Sequence, residues 1–164
     1  MQRHHMDHEI ACSSARLWQL YFDDSFNIEM YERGLGFPSC KIVERRDDGK
    51  VLHRRMAMIP KVDMPKPVAK LVGDKVGFEE IGDWVRSEGV YRWKMVLAAF
   101  GDRVRLEGEM RVVEHGAGHC RRLVDFEVEA KIFGVGKLIE TTAADNTIDG
   151  WNRSAKWINE QLAR

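Results

Sequence analysis

From Lys41 to Phe133 the chain repeats one pattern: apolar and polar side chains alternate with a period of two, broken mainly by turn residues. A long helical stripe follows only after Gly136. Strands grouped together in this way exclude a doubly wound parallel sheet, which needs strands and helices in alternation. The order predicts an α+β fold, a curved antiparallel sheet of about seven strands (β-α-α-β6-α) wrapped around a long C-terminal helix.

The element boundaries are written in turn and cap residues. Residues 2–11 read as a first strand. Ser13-Ser14 caps a short helix from Ala15, and Asp24-Ser25 caps a second that carries Ile28, Met30 and Tyr31 and stops at Gly34-Leu35-Gly36-Phe37-Pro38. A hairpin turns at Asp47-Asp48-Gly49, and further turns fall at Ser87-Glu88-Gly89, Gly101-Asp102 and His115-Gly116-Ala117-Gly118. Residues 60 to 74 hold three of the four prolines and predict a loop with one helical turn around Val68 to Leu71. Ile148, Trp151, Ala155, Ile158 and Leu162 form the stripe of the closing helix.

A chain of 164 residues without a composition break suits one domain over 1–164. Twenty-six basic residues balance twenty-six acidic ones, so the charge excess of a nucleic-acid binder is missing. Cys12, Cys40 and Cys120 are an odd number at wide spacing, which suits neither a disulfide framework nor a zinc site and points to the cytoplasm. The N-terminus has no apolar segment of the signal-peptide kind, and a soluble protein is expected. Oligomeric state does not follow from any of these features.

The alternation also assigns the faces of the sheet. Trp93 and Met95, Leu106 and Met110, and Val124 and Phe126 share the inner face; Arg92, Lys94, Glu107, Glu109 and Glu127 point outward. Opposite this bulky face, the first half of the long helix offers Thr141-Thr142-Ala143-Ala144, side chains too small to fill a core. A cavity of about 300 to 1,000 Å3 is expected there, lined by Met56, Met58, Trp93, Met95, Leu106, Met110, Phe126, Thr142 and Asn146. The alternative is that Trp84, Trp93 or Phe126 reaches across and fills the gap. Three charged residues fall in the inward phase: Arg54 with Leu52, Met56 and Met58; Arg122 with Val124 and Phe126; and Glu80 if Phe78 and Trp84 face in. Their alternatives are solvated strand ends and snorkelling side chains. Arg122 is the candidate to hold an anionic ligand head, with Glu80 as its carboxylate when empty.

Other motifs do not carry chemistry. Gly134-Val135-Gly136 lacks the third glycine and the following parallel strand of a dinucleotide site. His4 and His8 face one way along a strand and His5 the other, short of a zinc ligand set. No nucleophile elbow or phosphate loop occurs, so no catalytic residue, metal or cofactor is assigned.

The element order, with the junction Phe133-Gly134-Val135-Gly136-Lys137-Leu138-Ile139-Glu140, resembles the START-like superfamily of helix-grip proteins (SRPBCC), which includes pollen-allergen proteins and polyketide cyclases, and within it a bacterial branch. The resemblance implies a hydrophobic small molecule, a lipid above all, held between sheet and helix for binding or transfer. A cyclase- or hydrolase-like enzyme in the same cavity is the alternative, and a protein-interaction domain with a vestigial cavity the third. Lys61, Met64, Lys66, Lys70, Leu71 and Val72 mix cations with apolar residues. This segment is either a transient membrane contact or an ordinary solvated crossing.

Overall fold

The computed structural model describes all 164 residues. Seven strands make one antiparallel sheet: β1 (Gln2–Ile10), β2 (Ser39–Asp47), β3 (Val51–Ile59), β4 (Phe78–Val85), β5 (Val90–Leu97), β6 (Val104–Glu114) and β7 (Cys120–Ala130). Their spatial order is β1-β7-β6-β5-β4-β3-β2. Consecutive strands from β2 to β7 are neighbours, with β3 and β4 joined through the segment that carries the third helix, and β1 pairs with β7 from Gln2 opposite Val128 to Ile10 opposite Cys120. The long helix α4 (Gly136–Leu162) packs on β1 and β7.

Local chemistry sets the ends of the short helices. The Ser13 hydroxyl accepts from the Arg16 amide at the start of α1 (Ser14–Tyr21), and the Asp23 carboxylate accepts from the Phe26 amide at 2.9 Å at the start of α2 (Asp24–Glu29). A wider π-helical turn continues α2 over Met30–Gly34 and swings Met30 and Tyr31 inward. The proline-rich segment carries α3 (Lys66–Val72), two turns where one was expected, because Pro67 fits the first turn of a helix without losing a needed donor. At the start of α4 the Glu140 carboxylate accepts from the Ala130 amide at 2.9 Å and pairs with the N-terminal ammonium at 3.3 Å, tying helix, β7 and the chain start together.

Two apolar clusters fill the space under the sheet. One gathers Trp18, Tyr21, Phe22, Tyr91, Trp93, Phe126 and Trp151; the other gathers Ile10, Leu17, Met30, Tyr31, Met56, Met58 and Ile158. Trp84 stacks on Trp18 and Phe22, so it seals the α1 side of the sheet. No helix is long and apolar enough to cross a membrane.

Candidate functional site

An apolar cavity of about 160 Å3 opens where the two clusters meet α4. Small or short side chains of α4 make one wall: Thr142, Ala143, Asn146, Thr147 and Gly150. Tyr21, Met30 and Tyr31 come from the short helices, Met64, Val68 and Val72 from the α3 segment, and Met95, Leu97, Phe100 and Leu106 from the sheet and its β5–β6 turn. The volume is smaller than the 300 Å3 or more expected, because α3 folds over the opening with Val68 and Val72 buried beneath it.

Of the residues proposed to line the cavity, Met95, Leu106, Thr142 and Asn146 do so. Met56 and Met58 are buried in the second cluster, and Trp93, Met110 and Phe126 in the first; none of these five lines the cavity. Gly108 explains Trp93 and Phe126: it sits between them, and a Cβ there would meet the Phe126 Cβ at 2.7 Å and the Trp93 ring at 2.8 Å. Both rings therefore settle against the sheet instead of crossing the gap, and Trp84 is held outside it by Trp18 and Phe22. Of the α3 segment, Met64 and Val72 belong to the cavity wall, while Lys61, Lys66, Lys70 and Leu71 are exposed.

Arg54, Glu80 and Arg122 are each 0% exposed. None touches the cavity; they lie behind its wall. Arg54 donates to the Tyr21 carbonyl at 3.1 Å, the Asn27 side-chain carbonyl at 3.3 Å and the Asp24 carboxylate at 3.4 Å. Glu80 accepts from the Tyr91 hydroxyl at 2.8 Å and from the Tyr31 hydroxyl at 3.4 Å. Burial raises the Glu80 pKa above the ordinary carboxylate value, against the opposing pull of Tyr91 and Arg54. Tyr31 thus links a buried acid to the cavity lining, an arrangement able to hold or pass a proton at the Tyr31 hydroxyl.

Arg122 does not lean on Glu80. Its Nη2 donates to the Trp151 carbonyl at 2.7 Å and to the Ser154 hydroxyl at 3.0 Å, and it lies 3.3 Å from His8 Nδ1. These partners are neutral, its Nε and Nη1 have none, and burial pulls its pKa down to about 10. Trp151 and Ser154 lie between the guanidinium and the cavity, because the curl of β7 brings Arg122 under the middle of α4 and not under its first turns.

The remaining candidates are dispersed. His5 pairs with Asp125 at 2.7 Å, His8 contacts Asn152 at 2.8 Å, and no three His, Cys, Asp or Glu side chains converge as a metal site. All three cysteines are buried, and burial pushes the Cys40 and Cys120 thiols up to about 12. Strand periodicity missed Tyr21 and Tyr31, which reach the cavity from short helical segments whose aromatic content was the only available signal, while Trp151 was placed on the apolar stripe of α4 but not in the cavity wall.

Seven antiparallel strands gripping a long C-terminal helix over an internal cavity define a START/SRPBCC-like fold. Solved structures share it. A START superfamily protein from Mycobacterium smegmatis aligns over 98% of each chain with TM-score 0.60 and 19% identity. The Zhui aromatase/cyclase from a Streptomyces species aligns over 98% of this chain and 96% of that one with TM-score 0.67 and 11% identity. Norcoclaurine synthase from Thalictrum flavum aligns over 96% and 86% with TM-score 0.63 and 18% identity. Residues 5–162 match the family model described as "Protein of unknown function (DUF2505)", and the chain belongs to that family. No curated protein matches the sequence.

Proposed function

We propose that the protein binds and carries a hydrophobic small molecule of the lipid class in the cavity between sheet and α4, in the cytoplasm. The observation that supports this reading is the apolar cavity itself, kept open by Thr142, Ala143 and Gly150 where larger side chains would close it. A cavity near 150 Å3 lined by aliphatic and aromatic groups accepts a benzene-sized molecule, so the closed form suits one ring or a short chain. A longer chain enters by displacing α3, whose exposed Leu71, Lys66 and Lys70 face outward and are suited to a transient membrane contact. Two of the three solved structures named above are of enzymes, an aromatase/cyclase and norcoclaurine synthase. A second reading, chemistry on the bound molecule, draws on the buried Glu80 behind Tyr31.

Native mass spectrometry of protein purified from its own source, with solvent extraction of what it carries, tests the first reading. Added mass that disappears on extraction, and is absent from Ala143→Phe protein, is the expected result. Recovery of altered material after incubation with the extracted molecule would move the second reading ahead. No added mass, together with failure to bind any small apolar molecule, would leave a protein-interaction domain.

A further inference from the structure

One buried hydroxyl on the cavity wall makes no full hydrogen bond in the protein; the Tyr31 side chain is close enough to act on it, but the Tyr31 hydroxyl is directed to Glu80. Tyr21 lines the cavity and is 1% exposed, yet its Oη has no hydrogen-bond partner. Buried hydroxyls are normally paired, since leaving one unpaired costs free energy. Its neighbours Tyr31 and Tyr91 both spend their hydroxyls on Glu80, so the vacant donor on this wall belongs to Tyr21.

The fully buried charges near it do not cancel in number, although the Glu80 carboxylate is among those that act on its hydroxyl. Three charged side chains are completely buried, two guanidiniums and one carboxylate. Arg54 stands 5.6 Å from the Tyr21 ring and has Asp24 as a carboxylate partner. Arg122 has no carboxylate partner; it lies 4.8 Å from the Trp151 ring, and that ring lies parallel to Tyr21 at 6.2 Å. Arg54, the cation nearer to Tyr21, is thus compensated, and the uncompensated one is Arg122, behind Trp151.

We propose that the Tyr21 hydroxyl is the anchor for the head of the bound molecule, and that this head is a carboxylate or similar monoanion. The inference rests on the cavity being a binding site for a small hydrophobic molecule. Burial and the nearby Glu80 raise the Tyr21 pKa, so the phenol stays protonated and donates across the working pH range. A hydrogen bond to an ionised acceptor is stronger than one to a neutral acceptor, and an anion at Tyr21 also meets the positive field of Arg122. The aromatic and aliphatic walls take the rest of the molecule. Arg122 supplies field from behind Trp151 and the Tyr21 hydroxyl supplies contact.

The probes are octanoate and 2-nonanone, which match in chain length and shape and both carry a carbonyl oxygen, but differ in charge. Calorimetric titration at pH 8 is expected to give octanoate at least a tenfold lower Kd than 2-nonanone. In Tyr21→Phe that ratio falls to threefold or less. Arg122→Met gives the same direction of change and serves if the tyrosine variant does not fold. Equal affinity for the two probes in the unmodified protein, or a tenfold preference that survives in Tyr21→Phe, overturns the anchor while leaving the cavity a binding site. Binding of neither probe overturns the anchor together with the reading beneath it, and Ala143→Phe separates the cases because it blocks both probes only if they enter the cavity.

Discussion

Tyr21 and Trp151 lie with ring planes 6° apart and centroids 6.2 Å apart, and each ring carries a fully buried guanidinium: Arg54 at 5.6 Å from Tyr21, Arg122 at 4.8 Å from Trp151. The two cations come from opposite halves of the sheet, β3 and β7, and the rings between them come from α1 and α4. Aromatic faces favour a cation, by about 2 kcal/mol or more when water is excluded, which offsets part of the cost of burying each charge.

The two arginines nevertheless differ in what their removal leaves behind. Arg122 bonds only to neutral groups, so Arg122→Met removes a buried charge without orphaning another; the expected change in unfolding free energy is within about 2 kcal/mol of zero, in either direction. Arg54→Met leaves the buried Glu80 carboxylate without the cation that pulls its pKa down, and is expected to cost about 3 to 5 kcal/mol. Urea unfolding at pH 7 measures both, and equal losses would contradict this assignment.

His8 predicts a pH dependence. Burial, and then the Arg122 charge, lower its pKa below the ordinary value of 6.5, against the opposing effects of Asn152 and Asp7. Above pH 6.5 the imidazole is neutral folded and unfolded, with Nδ1 accepting from Arg122 and Nε2 donating to the Asn152 side-chain oxygen at 2.8 Å. As pH falls below 6.5 the unfolded chain takes the proton first, so stability drops until the folded pKa is passed and is flat beyond it. Glu80, with its raised pKa, contributes the opposite slope: stability is lost as pH rises from 4.5 through its folded pKa. The difference in urea midpoint between unmodified protein and His8→Gln, followed from pH 7.5 to 5.5, isolates the histidine. A difference that does not change with pH would show that His8 is free to protonate.

The strand phases were legible in the sequence because period two is strict there. Arg54 lies in step with Leu52 and Met56, and Arg122 with Val124 and Phe126, and all are buried. Where the guanidinium heads end was not legible, since Tyr21, Asn27, Trp151 and Ser154 meet them from helices whose docking no strand pattern encodes. The small residues of α4 announced a cavity, but its size depends on α3, and its sheet wall lost Trp93 and Phe126 to the slot at Gly108. Glycines inside strands were the overlooked signal, because they mark places where another group comes close.

Gly82 is the second such place. It stands in β4 opposite Trp93, and a Cβ there would collide with the Tyr91 ring and hydroxyl. Gly82→Ala must push Tyr91 away from Glu80, at an expected cost of about 1 to 3 kcal/mol from overpacking. The same substitution in a Tyr91→Phe background should cost less, because the bond to Glu80 is already gone; a double-mutant cycle reads the coupling. Strict additivity would mean that Tyr91 moves without losing its carboxylate.

The outer face of α3 predicts a weak, salt-sensitive membrane contact. Val68 and Val72 turn into the cavity, which leaves Leu71, 51% exposed, beside Lys66 and Lys70 on the solvent side. Two lysines near an anionic surface contribute about 1 kcal/mol each, and inserting one leucine adds about 1 to 2 kcal/mol. Such a sum suits a contact that forms and breaks as a ligand passes. Sedimentation with phosphatidylglycerol-rich vesicles should show association at low salt that fades as salt rises toward physiological strength, since exposed charges are screened over about 8 Å there. Leu71→Ser should weaken it roughly tenfold at constant salt, the factor that about 1.4 kcal/mol sets. Substitution of Ala69, which shares the helix but adds neither charge nor a large apolar group, is the control. Absence of association at low salt would remove the membrane from the cycle of loading and release, and leave exchange with ligand free in solution.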